Sequence, residues 1–186
     1  SAITISNNVI YNVLTSWPSS TVGYGHAGIF LGSIGTSTTF TTIAGGINLY
    51  FNSVYLSGNA DRSISSVNYA LYVGSGVSSV DCRNNAFQNS TVNINAGGTA
   101  SKSYSIYSVA ANTAYTTINY NDYYASGVQG VTGFITSDRV TLADIQTGFG
   151  QNVNSIVADP LFNSNINLIP QPGSPLVAAG DNSTGV

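Results

Sequence analysis

The chain has 186 residues, of which 42% are hydrophobic and only 6% are charged, and its formal net charge at pH 7 is −3. This length provides one compact domain with its own core. Only four Lys and Arg residues are present, which excludes the basic face needed to bind nucleic acid, and no apolar run approaches the ~20 residues of a membrane-spanning helix. No signal peptide is recognisable. The lack of methionine indicates a processed product or a piece of a longer protein.

The composition favours strands over helices. Glu is absent and Lys occurs once, whereas Ser, Thr, Asn, Gly, Val, Ile and Tyr are abundant. Polar residues of this kind are typical of strand surfaces and tight turns, and the usual exposed helix formers are missing. The single cysteine, Cys82, excludes an internal disulfide framework and a cysteine-based zinc site, and it is predicted to be a small buried side chain.

Four segments share the template apolar-x-apolar-x-x-Asn-x-apolar, at residues 3–10, 47–54, 80–87 and 116–123. Their asparagines form a predicted structural column of Asn8, Asn52, Asn85 and Asn121. Two strands that meet at one Asn bend instead of reversing, because a hairpin needs a longer turn, and Asn tolerates the left-handed backbone of such a bend. A chain that bends repeatedly in this way stacks on itself, with strands ~4.8 Å apart.

A second repeat combines a small, an apolar and an aromatic or Ile residue, at residues 28–31, 70–73, 105–108 and 133–136. Together the two repeats predict an all-β solenoid, a parallel β-helix of about four to five coils over residues 1–136. Three inward ladders are expected: Ile5, Leu49, Cys82 and Ile118; Ile10, Val54, Phe87 and Tyr123; and Ile29, Leu71, Ile106 and Phe134. An antiparallel sandwich is the alternative that the same alternation allows.

The pattern changes after residue 136. Residues 141–146 are the one credible helical turn, and Pro160, Pro170, Pro172 and Pro175 make poor central strands. Residues 137–186 are therefore predicted to be a C-terminal capping region of the same domain.

The stretches 119–124, 141–146, 154–162 and 173–180 resemble the secreted right-handed parallel β-helix repeat proteins of bacteria, specifically the choice-of-anchor Q class of surface proteins. Residues 51–58 are similar to coils of such proteins in gliding bacteria with type IX secretion. The chain departs from this pattern at Ile145, where Trp is usual, and at Ala178, where an acid is usual. The resemblance implies a right-handed β-helix located outside the cell or on its surface, and it implies no defined chemistry.

The acidic residues give no sign of an active site. Glycoside hydrolysis needs two carboxylates ~5–9.5 Å apart, yet only Asp81 and Asp122 lie in aligned segments, at different template positions. A polysaccharide lyase with Ca²⁺ needs basic residues beside several carboxylates. Arg62 and Arg83 are isolated and have no such carboxylate cluster beside them. We therefore expect no enzyme and no catalytic residue.

Metal and cofactor sites are not predicted either. His26 lies in a Gly-rich loop and is expected to be exposed or locally hydrogen-bonded, and without a second His or a Cys it makes no zinc site. The pairs 61–62 and 138–139 are interpreted as loop-surface charges. Residues 152–154 offer oxygens to Ca²⁺, but no bidentate carboxylate stands beside them.

Aromatic residues form the most informative surface pattern. If the third ladder points inward, Phe30, Tyr72, Tyr107 and Ile135 point outward. A second outward column contains Tyr11, Tyr55 and Tyr124, with Gln88 as an interruption. Such columns on a weakly charged protein indicate a contact surface for another subunit or a glycan, unless the loop 32–46 covers them.

We therefore expect an extracellular, non-enzymatic β-solenoid segment that serves as a structural or adhesive element of a cell-surface or filament-forming protein. The alternative is a carbohydrate-binding or polysaccharide-degrading β-helix. Residues 1–5 begin directly on a core strand, so the expected partners are other copies of the chain or upstream coils of a longer parent. Surface glycans are the second candidate partner, and neither nucleic acid nor membrane insertion is expected.

Overall fold

The computed structural model describes residues 2–16, 25–32, 46–62, 66–95 and 100–184. Strands dominate these ranges, and the fold is all-β. The strands that define the architecture lie in three parallel sheets.

The first sheet contains β1 (Ile3–Ser6), β4 (Ile47–Tyr50), β8 (Val80–Arg83) and β12 (Tyr115–Asn119). The second contains β2 (Val9–Tyr11), β5 (Ser53–Leu56), β9 (Ala86–Asn89) and β13 (Asp122–Ala125). The third contains β3 (Ala27–Leu31), β7 (Val67–Val73), β11 (Lys102–Ser108) and β14 (Gly130–Ile135). Each pass of the chain adds one strand to each sheet in turn, and every added strand pairs in parallel with the strand of the preceding pass. The antiparallel sandwich is therefore excluded.

The register of the first two sheets matches the expected inward ladders. Ile5 pairs with Leu49, Leu49 with Cys82, and Cys82 with Ile118. In the second sheet the aligned residues are Ile10, Val54, Phe87 and Tyr123. Members of both ladders lie in one apolar cluster that runs through all three sheets, so each strand is stabilised by burial against the strands of neighbouring passes.

The third sheet corrects one expectation. Ile106 pairs with Gly133 rather than with Phe134, and Phe134 pairs with the outward Tyr107. Ile135 is buried in the core, so the predictions that Phe134 points inward and Ile135 outward are wrong. The physical reason is that the inward position opposite Ile106 is filled from another element: a Cβ on Gly133 would lie 2.5 Å from Cδ1 of Ile145.

Ile145 belongs to α1 (Leu142–Phe149), which lies against the last strands. Thr141 and Asp144 form a capping box at its start, and Gly150 ends it with a left-handed φ of 69°. Ile145 and Phe149 are one turn apart and both enter the apolar cluster. The helix therefore closes the core at the end formed by β12, β13 and β14.

The remaining C-terminal chain continues this cover. β15 (Ser137–Arg139) pairs antiparallel with β14, and Ile156 bridges Asp122 at the edge of the second sheet. β16 (Phe162–Ser164) and β17 (Asn167–Pro170) form an antiparallel hairpin. Phe162 and Leu168 of this hairpin pack with Ala86, which places the hairpin on the outer face of the second sheet. A short parallel pair, β6 (Asn59–Ala60) with β10 (Val92–Asn93), completes the described strands.

Candidate functional site

The four asparagines of the sequence template form one hydrogen-bonded column between the first and second sheets. The side-chain Nδ2 of Asn8 donates to Oδ1 of Asn52, that of Asn52 to Asn85, and that of Asn85 to Asn121, each at 2.9 Å. The backbone N–H groups of Asn8, Asn52 and Asn85 donate to the same three oxygens at 3.0–3.2 Å. Ser155 ends the column, because its Oγ accepts from the backbone N–H of Asn121 at 3.1 Å.

The backbone explains why asparagine recurs here. The residue before each asparagine has a left-handed φ of 54–62°, and these residues are Asn7, Phe51, Asn84 and Tyr120. This sharp bend turns the next N–H toward the side-chain oxygen of the neighbouring pass. Asn52, Asn85 and Asn121 are buried, and their Nδ2 groups also donate to Ile5, Leu49 and Cys82 carbonyls. With its amides paired internally, the column is built to hold strands together rather than to bind a ligand.

Four aromatic rings form a continuous stack on the outer face of the third sheet. This aromatic stack consists of Phe30, Tyr72, Tyr107 and Phe134, with ring centroids 4.6, 6.0 and 4.4 Å apart and planes within 9° of parallel. Phe134 therefore takes the position expected for Ile135. A sugar packs against the face of an aromatic ring, and here the faces are covered by neighbouring rings. The two end rings of the stack, Phe30 and Phe134, each have one face without a stacked ring among the described residues, and Phe30 is 41% exposed.

The C-terminal hairpin packs against the middle of the second outward column, at Tyr55 and Gln88. Tyr11 pairs with Tyr55, Tyr55 with Gln88, and Gln88 with Tyr124. Tyr11 is exposed, but Phe162 of the hairpin lies with its ring 6.4 Å from that of Tyr55. The loop expected to cover an aromatic column, residues 32–46, lies outside the described residues except for its two ends.

His26 and Arg62 differ from the sequence expectation. Both are buried, and Nη1 of Arg62 lies 3.0 Å from Nδ1 of His26. Burial and the neighbouring guanidinium lower the pKa of His26 to about 4, so the ring is neutral at pH 7 and its Nδ1 accepts from Arg62. The interpretation of Arg62 as a loop-surface charge is wrong. The adjacent charges of residues 61 and 62 suggested an exposed loop, whereas the side chain of Arg62 is buried.

Asp81 and Asp122, the two carboxylates in the aligned segments, lie in different sheets. Asp81 lies in the first sheet and holds Arg83 at 2.8 Å, and Arg83 also binds Asp181 at 2.8 Å. Asp122 lies in the second sheet, where burial raises the pKa of its carboxyl group to about 7. Its Oδ1 accepts from the Ala158 N–H at 3.1 Å, while its Oδ2 is sealed without a partner. A carboxyl group closed off in this way does not reach a polymer substrate.

Within the described ranges, no group of three or more His, Cys, Asp or Glu residues is placed to hold a metal ion. In the segment considered for Ca²⁺, Oδ1 of Asn152 accepts from Tyr123 at 2.9 Å and from Ser155 at 2.8 Å. That oxygen is therefore engaged inside the protein. Cys82 is buried, and burial raises the pKa of its thiol.

No family model, curated protein or solved structure matches this chain. Among the helices that the structure describes, none has the length and apolar character needed to cross a membrane.

Proposed function

We propose that this chain is a right-handed parallel β-helix that acts as a non-catalytic structural segment and assembles through the free edges of β1, β2 and β3. Parallel sheets to which each pass adds one strand are the arrangement of a solenoid, and crossovers between parallel strands are right-handed in nearly all proteins. In this proposal the segment works outside the cell, as part of a surface or filament, in line with the family resemblance of its sequence.

The observation that carries the proposal is the difference between the two ends of the sheets. The terminal strands β1, β2 and β3 pair on one side only within the described ranges. Their outer residues are apolar and open to solvent: Ile3 is 56%, Val9 58%, Tyr11 41% and Phe30 41% exposed. At the opposite end, α1, Ser155 and Ile156 cover the core, the asparagine column and the last strands.

An exposed strand edge with an apolar face is a template for another strand. Three such edges side by side offer N–H and C=O groups that no described strand pairs, together with apolar side chains. A second copy or a further coil therefore gains backbone pairing and burial at once. The occupant that we propose for the isolated chain is a second copy. Net charge of only −3 gives little repulsion against such association.

Sedimentation velocity over a range of protein concentrations tests this proposal. The double variant Ile3→Lys/Val9→Lys adds charge to the open edge, where Lys is known to block strand addition. Val153→Lys is the control, because Val153 is also apolar and is even more exposed, at 77%, but lies in the C-terminal cover. We expect the unmodified chain and the control to associate as the concentration rises, and the double variant to stay monomeric.

Two results would contradict the proposal. An unmodified chain that stays monomeric at millimolar concentration has no edge that attracts a copy. Equal loss of association in the double variant and in the control would show that the contact lies elsewhere or reflects general charge repulsion.

The competing function, polysaccharide cleavage, has less support. Asp81 and Asp122 lie in different sheets, Asp81 is bound to Arg83, and one oxygen of Asp122 is sealed. We expect no release of reducing or unsaturated ends from pectin or alginate.

A further inference from the structure

A pocket of about 280 Å³ lies between the outer face of the second sheet and the β16–β17 hairpin. Tyr55 and Gln88 form its floor, and Asp159, Phe162, Asn165 and Gln171 are the wall residues that matter here. The hairpin buries this face so well that all four residues of β9 are buried, the outward ones included. The pocket is the remaining opening to the Gln88 side chain.

Gln88 is the unusual group in this pocket. It is only 6% exposed, and its carboxamide forms no hydrogen bond with any described residue, in contrast to the buried amides of Asn52, Asn85 and Asn89. Neither its Oε1 nor its Nε2 is fully enclosed, so both atoms can be reached from the pocket. A buried amide is costly unless its donor and acceptor are paired. Both can be paired only by something that enters the pocket.

The other polar walls add acceptors. Oδ1 of Asp159 accepts from the Leu161 N–H at 2.9 Å, which leaves its second oxygen available. Nε2 of Gln171 donates to the Phe162 carbonyl at 3.0 Å and leaves its Oε1 available. Tyr55 and Phe162, whose rings lie 6.4 Å apart, supply the apolar part. Amides, a carboxylate and aromatic rings in one small pocket are the groups that bind the hydroxyls and the apolar face of a sugar.

The charges around the pocket favour a neutral sugar over an anionic one. None of the residues that line it is Lys or Arg. Burial is the main cause that raises the pKa of Asp122, and the nearby carboxylate of Asp159 adds a smaller repulsion in the same direction. An anionic ligand, such as a uronic acid, would meet negative charge without compensation. We propose that this pocket binds one residue of a neutral sugar, with its hydroxyls on Gln88 and Asp159 and its apolar face on Tyr55 and Phe162. This inference does not depend on self-association.

Nuclear magnetic resonance titration tests the proposal on the intact chain. The probes are the methyl glycosides of glucose, galactose and mannose, with glucuronic acid as the anionic comparison. We expect at least one neutral glycoside to bind with a millimolar or lower Kd and to shift the side-chain amide signals of Gln88, and glucuronic acid to bind about tenfold more weakly.

Two substitutions locate the binding. Gln88→Leu keeps the size of the side chain and removes its amide, so we expect about tenfold weaker binding. Asn165→Ala acts at the exposed hairpin turn, outside the buried core, and should weaken binding about threefold. Asn163→Ala is the control, since Asn163 lies on the same hairpin but not in the pocket.

The proposal is overturned if none of the neutral glycosides shifts Gln88 signals at about 100 mM. It is equally overturned if glucuronic acid binds as tightly as the best neutral glycoside, or if Asn165→Ala and Asn163→Ala have the same effect on the Kd.

Discussion

Removing one amide from the middle of the asparagine column should destabilise the protein far more than removing one at its end. In Asn85→Ala, Oδ1 no longer accepts from the backbone N–H and the Nδ2 of Asn52, at 3.0 and 2.9 Å. Nδ2 no longer donates to Asn121, Leu49 and Arg83, at 2.9–3.0 Å.

The magnitude follows from what is left without a partner. The Nδ2 of Asn52 retains the Ile5 carbonyl, but among the described residues the buried backbone N–H of Asn52 has only Asn85 as acceptor. One orphaned buried donor costs about 1–3 kcal/mol, and each of the other lost hydrogen bonds costs about 0.5–1.5 kcal/mol, the lower value applying where the remaining group keeps another partner. We expect Asn85→Ala to lower the free energy of unfolding by about 3 kcal/mol, which is a large share of the ~5–15 kcal/mol typical of a domain.

Urea denaturation followed by far-ultraviolet circular dichroism measures this change. Asn8→Ala should cost less than about 1 kcal/mol, because Asn8 is exposed and only donates at the end of the column. Asn59→Ala is the control, as Asn59 is an exposed asparagine of β6 outside the column. The reasoning is refuted if Asn85→Ala is neutral while Asn59→Ala destabilises.

Two further predictions concern buried ionisable groups and the third sheet. The pKa of Asp122 is raised to about 7, so the contribution of Asp122 to stability is lost as the pH rises from about 4 to 7. The pKa of His26 is lowered to about 4, so the contribution of His26 is lost as the pH falls from about 6.5 to 4. The two slopes of stability against pH, each up to about 1.4 kcal/mol per pH unit, oppose each other between pH 4 and 6.5. Urea denaturation across that range should show that Asp122→Asn loses stability on acidification and that His26→Gln gains it. Parallel curves for the two variants would contradict the burial of these groups. Gly133→Ala should lower the free energy of unfolding by about 1–3 kcal/mol through overpacking, because its Cβ would meet Cδ1 of Ile145 at 2.5 Å. Adding Ile145→Val, which lacks this Cδ1, should recover part of the loss as measured by thermal unfolding. A neutral effect of Gly133→Ala would refute that contact.

The sequence was most informative where one bend needs one kind of side chain. A left-handed residue followed by an asparagine recurs four times, and three of these asparagines donate to the asparagine of the next pass. This local requirement makes the column of Asn8 to Asn121 visible in the template. The first two ladders follow from it, because the bend fixes which neighbours point inward. The third ladder slipped at Phe134, since the inward position is a glycine whose space is filled by α1.

Other features depend on contacts between distant segments and could not be predicted from local patterns. Arg62 is buried because Thr15, His26 and Asn93 bind it, and these residues lie 31 to 47 positions away. Gln88 stood out in the sequence only as an interruption of a tyrosine column. The significance of Gln88 comes from the hairpin that folds over its side chain more than 70 residues later in the chain. No periodicity in the sequence predicts that contact.

Disulfide trapping across the first sheet tests the parallel stacking of passes most directly. Thr4 and Asn48 are aligned in β1 and β4, and Nδ2 of Asn48 donates to Oγ1 of Thr4 at 3.2 Å. Adjacent strands lie about 4.8 Å apart, within the Cα separation that a disulfide spans. Thr117 occupies the corresponding position of β12, about 14 Å from Thr4 across three strand spacings. Thr4→Cys/Asn48→Cys should form an intramolecular disulfide under mild oxidation, while Thr4→Cys/Thr117→Cys should keep its thiols free. Absence of the disulfide in the first variant, or its formation in the second, would contradict the stacked arrangement.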